Sequence, residues 1–180
     1  MEILLILVLL VVALFIFYYN RIITLENRVN NALSQIDVQL KRRNDLIPNL
    51  VNTVKGYAAH ETGVFDRVTQ ARERMLSAGS IEEKSAASTQ LTQALRSVFA
   101  IAEAYPQLKA DANFRELQGQ LEETENKIAY SRQFFNDTVL DFNNTVTTIP
   151  GVFIAQPMGK RPKPFFETDE ATRQVPNVNF

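Results

Sequence analysis

An unbroken apolar run near the start of the chain limits what this sequence can fold into. Residues 3–17 read ILLILVLLVVALFIF and contain no polar or charged side chain. Each Leu, Ile, Val or Phe favours the membrane by about 0.3–0.6 kcal/mol at a helix centre, so the run contributes roughly 4–9 kcal/mol. Together with the two residues that follow it, the run makes seventeen residues of helix and covers about 25 Å, slightly short of the roughly 30 Å hydrocarbon core. The sequence therefore predicts a transmembrane anchor over residues 1–20.

The residues beside the run favour an uncleaved anchor. Tyr18 and Tyr19 follow it, as in an interfacial aromatic belt, and the Arg21 side chain can reach the headgroups. The rival interpretation is a cleaved secretory signal, which needs a basic beginning and small residues at the cleavage site. Here Glu2 precedes the run and large aromatic residues end it. Membrane lipids are thus the first predicted partner, with Tyr18, Tyr19 and Arg21 at the interface.

Basic residues are asymmetric about the run, and this asymmetry predicts its orientation. Met1 and Glu2 precede it, whereas the basic residues that follow are Arg21, Arg28, Lys41, Arg42 and Arg43. The positive-inside rule then places the N-terminus outside and the C-terminal domain in the cytoplasm. We expect a single-pass membrane protein.

The body of the chain, residues 21–149, carries helical periodicity. One apolar stripe, with spacings of three and four, runs from Ile22 through Leu40 and on to Met75. Pro48 interrupts it, and two arrangements fit: a kinked continuous helix, since the stripe keeps its phase, or a new helix capped by Asp45. Proline also releases the Asn44 carbonyl, which needs another partner.

Glycine, proline and helix-capping residues divide the rest of the body of the chain into helices. Gly79 ends the first segment, and Ser80 with Glu83 has the spacing of a capping box. The next helix stops at Pro106, and a last helix, with Asn113 and Glu116 as its cap, ends at Pro150. Because each stripe must be buried, we predict an all-α fold: the transmembrane helix followed by an antiparallel up-and-down bundle of three or four long, coiled-coil-like helices.

The tail, residues 150–180, is rich in proline and predicted to be irregular. Basic residues lie between apolar ones there, as in Lys160–Arg161 before Phe165–Phe166. Such a pattern can occupy a lipid interface, but the simpler interpretation is that the phenylalanines cap the bundle and the basic residues are solvated. An even number of bundle helices would return this tail to the membrane side.

Residues that could carry chemistry are few. His60–Glu61 begins like a zincin helix, but Val64 stands where the second histidine belongs, and cysteine is absent. His60 is therefore expected to be a polar or half-buried helix residue. Glu122, Glu123 and Glu125 are expected to form a solvated helix face rather than an acid–base pair. We predict no enzymatic activity, no metal and no cofactor.

Charge composition bears on partners. Lys and Arg number 19 against 20 Asp and Glu, which argues against a nucleic-acid binder. Polar residues cluster around Pro48 instead, and they form our candidate interaction surface: Asp37, Lys41, Arg42, Arg43, Asp45 and Asn49. A solvated, kinked helix face is the simpler interpretation. The functional interpretation is contact with another copy, a partner protein or anionic lipid. A protein partner is favoured over lipid, because an upright helix places Arg42 and Arg43 tens of Å beyond the bilayer.

Two segments resemble the LemA family. They are RVNNALSQIDVQLKRRNDLIPNLVNTVKGYAAHE at 28–61 and EAYPQLKADANFRELQGQLEETENKIAYSRQFFNDTVLDFNN at 103–144. The resemblance implies a bacterial membrane-anchored helical bundle, and members related to magnetosome proteins suggest roles in membrane organisation. It supplies no catalytic residues. We predict a non-enzymatic scaffold that self-associates as a homo-oligomer; the alternatives are an accessory subunit of a membrane protease or transporter and an enzyme with a carboxylate-only site.

Overall fold

The computed structural model describes residues 1–167, which form six helices and no strand in that range. The helices are α1 Glu2–Lys55, α2 Thr62–Ser77, α3 Ile81–Ala104, α4 Pro106–Ala110, α5 Ala112–Thr147 and α6 Gly151–Ala155. The prediction of an all-α fold is confirmed.

Helix α1 is continuous through Pro48, so the kinked-helix alternative is closer to the structure than a new start at Asp45. Proline cannot donate to the Asn44 carbonyl, and the Arg72 side chain of α2 does so instead, with 3.3 Å between Arg72 Nε and Asn44 O. The released carbonyl thereby links α1 to α2.

The end of α1 differs from the sequence prediction. The apolar stripe suggested a helical segment continuing to Gly79, but α1 ends at Lys55 and α2 begins at Thr62. Ala58 in the intervening turn is buried, as are Val54 before it and Phe65 after it. The spacing of the apolar residues therefore does not reveal this reversal of the chain. The glycines at positions 56 and 63 are the sequence feature that indicates it.

Two helix starts show how local chemistry sets the boundaries. The capping box is confirmed: Ser80 Oγ accepts from the Glu83 amide, and Glu83 Oε2 accepts from the Ser80 amide, both at 3.1 Å. At α5 the predicted cap was wrong. Asp111, rather than Asn113, accepts from the Phe114 amide at 2.9 Å, because α5 begins at Ala112.

The chain divides into two compact units, and α1 and α5 contribute residues to both. Unit 2 comprises residues 37–129 with 166 and 167 of the described chain. Its side-chain contacts give the helix directions. Arg72 of α2 meets Asn44, and the Lys55 ammonium lies over the Phe65 ring, so α2 runs antiparallel to α1.

Helices α3 and α5 complete unit 2. Asp37 and Arg43 of α1 contact Lys84 and Thr92 of α3 in the same order, so these helices are parallel. Arg43 also contacts Glu125 of α5. Since the Tyr57 hydroxyl, farther along the chain, donates to Asp111 just before α5, that helix is antiparallel to α1. The predicted up-and-down bundle is thus present as four helical segments in unit 2.

Unit 1 comprises residues 1–36 and 130–165. Its core takes residues from α1, from the second half of α5 and from α6, including Ile22, Leu25, Val29, Ala32, Ile36, Phe135, Val139, Phe142, Val146, Ile154 and Ala155. The tail is not wholly irregular as predicted, since residues 151–155 are helical. Residues 168–180 of the predicted tail lie outside the described residues.

Candidate functional site: the anchor and the exposed helix faces

The first part of α1 has the exposure expected of a membrane span. Its apolar side chains between Ile3 and Phe17 are exposed, and α1 is the one helix in the described chain long and apolar enough to cross a membrane. Burial begins at Ile22, which is fully buried. The change from exposed to buried apolar side chains, within a single helix, marks where the span gives way to the protein core.

The predicted interface residues lie at this change. Tyr18 is half-buried, whereas Tyr19 and Arg21 are exposed. The Tyr18 ring packs edge-on against Phe17 with 5.3 Å between ring centroids, and Tyr19 stacks on Phe15 at 6.2 Å. Both rings therefore continue the apolar surface while carrying a hydroxyl, the arrangement typical of a membrane interface.

Arg43 is buried, although the candidate interaction surface assumed that it is exposed. Its side chain is 4 % exposed, and Nη1 lies 2.7 Å from Glu125 Oε2 and 3.0 Å from Thr92 Oγ1. A buried guanidinium needs such partners because its desolvation is costly. Arg43 therefore joins α1, α3 and α5 inside unit 2 and contributes no exposed contact.

Two further members of the candidate surface make contacts within unit 2. Asp37 accepts from Lys84 of α3, with 2.6 Å between Oδ1 and Nζ. Arg42 is half exposed and lies 3.9 Å from Glu123, a distance and exposure at which an ion pair contributes little. Asp37 thus helps to join α1 to α3, and Arg42 remains accessible to solvent.

The remaining members form an exposed strip on α1. Lys41, Asp45 and Asn49 are exposed and recur every four residues, so they lie on one helix face. Lys41 and Asp45 pair along the helix at 3.4 Å. Val38 is on the same face and is 62 % exposed, and the sequence analysis did not single it out. We call Val38, Lys41, Asp45 and Asn49 the α1 strip; its use as an interaction surface stays a prediction.

Of the residues considered for catalysis, His60, Glu122 and Glu123 are exposed, whereas Glu125 is half-buried against Arg43, which corrects the expectation of a fully solvated face at that position. His60, expected to be a polar or half-buried helix residue, is exposed and lies in the turn between α1 and α2, so its predicted position within a helix is wrong. Glu122 and Glu123 are exposed, and a hydrogen bond from Lys127, aided by the charges of Lys127 and Arg42, lowers the pKa of Glu123. No group of three or more potential metal ligands occurs among residues 1–167.

The segment after α6 is attached to α1 within unit 1. The Lys160 ammonium lies 2.5 Å from Glu26 Oε2, and Lys163 Nζ lies 3.7 Å from Glu26 Oε1. The hydrogen bond from Lys160 and the charges of both lysines lower the pKa of Glu26 against the opposing effect of burial. Residue spacing does not predict this pairing, because the partners are more than a hundred residues apart.

Comparison with known proteins agrees with the resemblance noted above. A family model described as LemA family matches residues 32–180. Magnetosome protein MamQ of Magnetospirillum gryphiswaldense is 26 % identical over 176 residues, covering 83 % of this chain and 65 % of the relative. Magnetosome protein MamQ 2 of Paramagnetospirillum magneticum is 23 % identical over 186 residues, covering 89 % and 68 %.

A relative with a different name matches this chain with a similar identity and coverage. Protein LemA of Metamycoplasma hominis is 23 % identical over 172 residues, covering 91 % of this chain and 77 % of the relative. The chain spans slightly less than two thirds of the length of the first MamQ relative, at 65 %. These matches extend over both units and are not confined to the apolar run.

Proposed function

The chain belongs to the LemA family, and from this premise we propose that it is a non-enzymatic scaffold that self-associates at the membrane and helps to organise it. The observation that carries the proposal is the continuity of α1. One uninterrupted helix holds the exposed apolar span and the first buried residues of the protein core, Ile22 and Leu25. A helix without a break gives the anchor no hinge relative to that core. This suits a scaffold whose core stays in a fixed position relative to the membrane.

Two further observations support a structural role. Glu123 pairs with Lys127 along α5 and Glu125 pairs with Arg43 of α1, so two of the three candidate carboxylates serve in ion pairs that link residues of the bundle. The MamQ relatives bear names that give a cellular structure, the magnetosome, and not a reaction. Alanine at Glu122, Glu123 and Glu125 together should leave the cellular phenotype of the protein unchanged, provided that the bundle still folds. A loss of function in a folded triple variant would favour the carboxylate-only enzyme.

Self-association would use the α1 strip. An anchor confines all copies to the membrane, which raises their effective concentration and lets a modest surface suffice. The strip offers an exposed valine flanked by a cation, an anion and an amide. Because α1 is continuous, two copies anchored in one membrane with the same orientation place their strips parallel, and Lys41 of one copy can then pair with Asp45 of the other about a two-fold axis along the membrane normal. Such a two-fold contact is self-complementary, as cyclic dimers require.

The absence of cysteine makes this surface testable by cross-linking, since any introduced cysteine is unique. Val38→Cys in native membranes should give a disulfide-linked dimer on mild oxidation. Leu76→Cys on α2 is the matched control, because Leu76 has the same 62 % exposure. Cross-linking that is equal at both positions, or that vanishes when the membrane is diluted with lipid, would contradict specific self-association through the strip.

An accessory subunit of another membrane system is the second candidate. The polar composition of the α1 strip favours it, because transient interfaces carry more polar residues than obligate ones. Under this alternative Val38→Cys should cross-link to a different membrane protein. Adducts that contain only this chain would exclude it at this surface.

The proposed location is the bacterial inner membrane, with the N-terminus outside and the bundle in the cytoplasm. Its support is the series of basic residues that follows the span, beginning with Arg21 and Arg28. A reporter fused after Phe180 should be active in the cytoplasm. Activity confined to the exported compartment would reverse the assignment.

A further inference from the structure

The turn that follows α5 lies beside the membrane anchor. Gly151 packs so closely that a methyl group there would lie 2.0 Å from the Thr145 carbonyl oxygen and 3.5 Å from Cδ1 of Tyr18. Tyr18 is the first residue after the apolar run. The polypeptide that begins in the membrane therefore returns, near its other end, to the level at which the span leaves the membrane.

The chain also reverses direction at this point. The side chain of Asn143 receives a hydrogen bond from the Lys163 amide at 2.8 Å and donates one to the Lys163 carbonyl at 2.9 Å. Lys160 reaches Glu26, two turns beyond Tyr18 along α1. The segment after α6 thus runs back along α5, which leaves residues 148–155 as the tip of unit 1 on the side of the apolar span.

The tip exposes large apolar side chains. Ile149 is 76 % exposed and Phe153 is 69 % exposed, whereas Ile154 of the same short helix is buried. A structural role would turn such side chains inward, as Ile154 is. Paired aliphatic and aromatic side chains beside an interfacial tyrosine have instead the composition of a surface that enters the headgroup and acyl boundary.

We propose that the turn from Thr148 to Ala155 is a second membrane contact, in which Ile149 and Phe153 enter the lipid interface beside Tyr18. Arg21, three residues after Tyr18 on α1, is exposed near this level, and its guanidinium group suits lipid phosphates. A helix alone can rotate about its own axis in the bilayer. A second contact beside it stops that rotation and determines which faces of unit 1 point along the membrane. This inference rests on the membrane anchoring in the proposed function but not on self-association.

The absence of tryptophan allows a direct test in liposomes that hold the full-length protein. Phe153→Trp creates a single fluorophore at the tip, and lipids brominated high on their acyl chains quench tryptophan only when it reaches them. Tyr130→Trp is the matched control: Tyr130 is 73 % exposed, and it precedes the turn by about 27 Å of α5. We expect blue-shifted emission and at least twofold quenching at position 153, with neither at position 130.

Three outcomes would overturn the proposal. The first is equal quenching at positions 153 and 130, and the second is water-like emission at 153 and at a further probe, Ile149→Trp. The third is blue-shifted emission without quenching by brominated lipid, which would show that protein covers the turn. Cross-linking of Val38→Cys in the same liposomes reports self-association separately, so either proposal can fail while the other stands.

Discussion

Arg43 of α1 and Glu125 of α5 form an ion pair whose two members differ sharply in exposure. The arginine side chain is 4 % exposed and the glutamate side chain 39 % exposed, with 2.7 Å between Nη1 and Oε2. The pair thus places a cation in the interior of unit 2 and lets its counter-ion reach solvent. The buried arginine therefore depends on a counter-ion that solvent can reach.

Removal of either partner should therefore destabilise the bundle. Arg43→Ala leaves a cavity and an unpaired carboxylate, and we expect the free energy of unfolding to fall by about 2–4 kcal/mol. Glu125→Gln keeps an acceptor for the guanidinium but removes the negative charge beside a buried cation, so we expect a loss of similar size, about 2–4 kcal/mol. Denaturant titration of the detergent-solubilised protein, followed by circular dichroism, measures both.

Arg42→Ala is the control for that pair, because Arg42 is half exposed and 3.9 Å from its acidic neighbour. It should leave the denaturation midpoint unchanged. A loss of stability as large as that of Arg43→Ala would show that the charge of this helix, and not the buried contact, is responsible.

The contact between Glu26 and Lys160 should weaken in acid. The lysine lowers the pKa of Glu26, so the stabilisation is complete above the ordinary glutamate pKa, about 4.3, and is lost as the pH falls through the lowered pKa. We expect the protection of the Lys163 amide against hydrogen exchange, corrected for the intrinsic rate, to fall over that range.

Glu26→Gln removes the titrating group and should make the protection of the Lys163 amide independent of pH below neutrality. The protection should also be lower than that of the parent chain near pH 7. Unchanged pH dependence in this variant would assign the effect to another carboxylate.

Substitution by alanine should change the stability of the protein in opposite directions at two glycines in the second half of the chain. Gly151→Ala places a methyl group 2.0 Å from the Thr145 carbonyl oxygen, which requires the backbone to move. We expect a loss of about 1–3 kcal/mol, the usual range for overpacking. Gly119, inside α5, has nothing within 4 Å of the added carbon, and Gly119→Ala should gain about 0.5–1 kcal/mol from helix propensity. Thermal denaturation distinguishes the two, and a stabilising Gly151→Ala would contradict the close packing of the turn.

The capping box at α3 should be worth about 1 kcal/mol. Ser80→Ala removes the acceptor for the Glu83 amide and lowers the free energy of unfolding by about 0.5–2 kcal/mol. Ser77→Ala is the neighbouring control, since the Ser77 hydroxyl only donates to a carbonyl of its own helix at an exposed position. Thermal unfolding of the two variants should differ measurably; equal midpoints would mean that the cap contributes nothing.

Much of the fold followed from the sequence because it rests on short-range effects. The apolar run at 3–17, the stripe from Ile22 and the Ser80–Glu83 cap each depend on residues within a few positions of one another. The continuous apolar stripe wrongly predicted a helix through residues 56–61 for the same reason. A helical turn and a tight reversal of the chain can preserve the same spacing of buried residues.

The candidate interaction surface shows that the spacing of residues in the sequence does not predict which of them are buried and which are exposed. Asp37, Arg43 and Lys41 lie close together in the sequence and are all charged, yet one meets α3, one is buried against α5 and one faces solvent. The sequence by itself determined the anchor, the helices and the polarity of each helix face, because these arise from neighbouring residues. Only the tertiary structure decided that Arg43 is interior, that Lys160 holds Glu26 and that Gly151 lies at Tyr18, because each of these contacts joins residues some 80 to 135 positions apart.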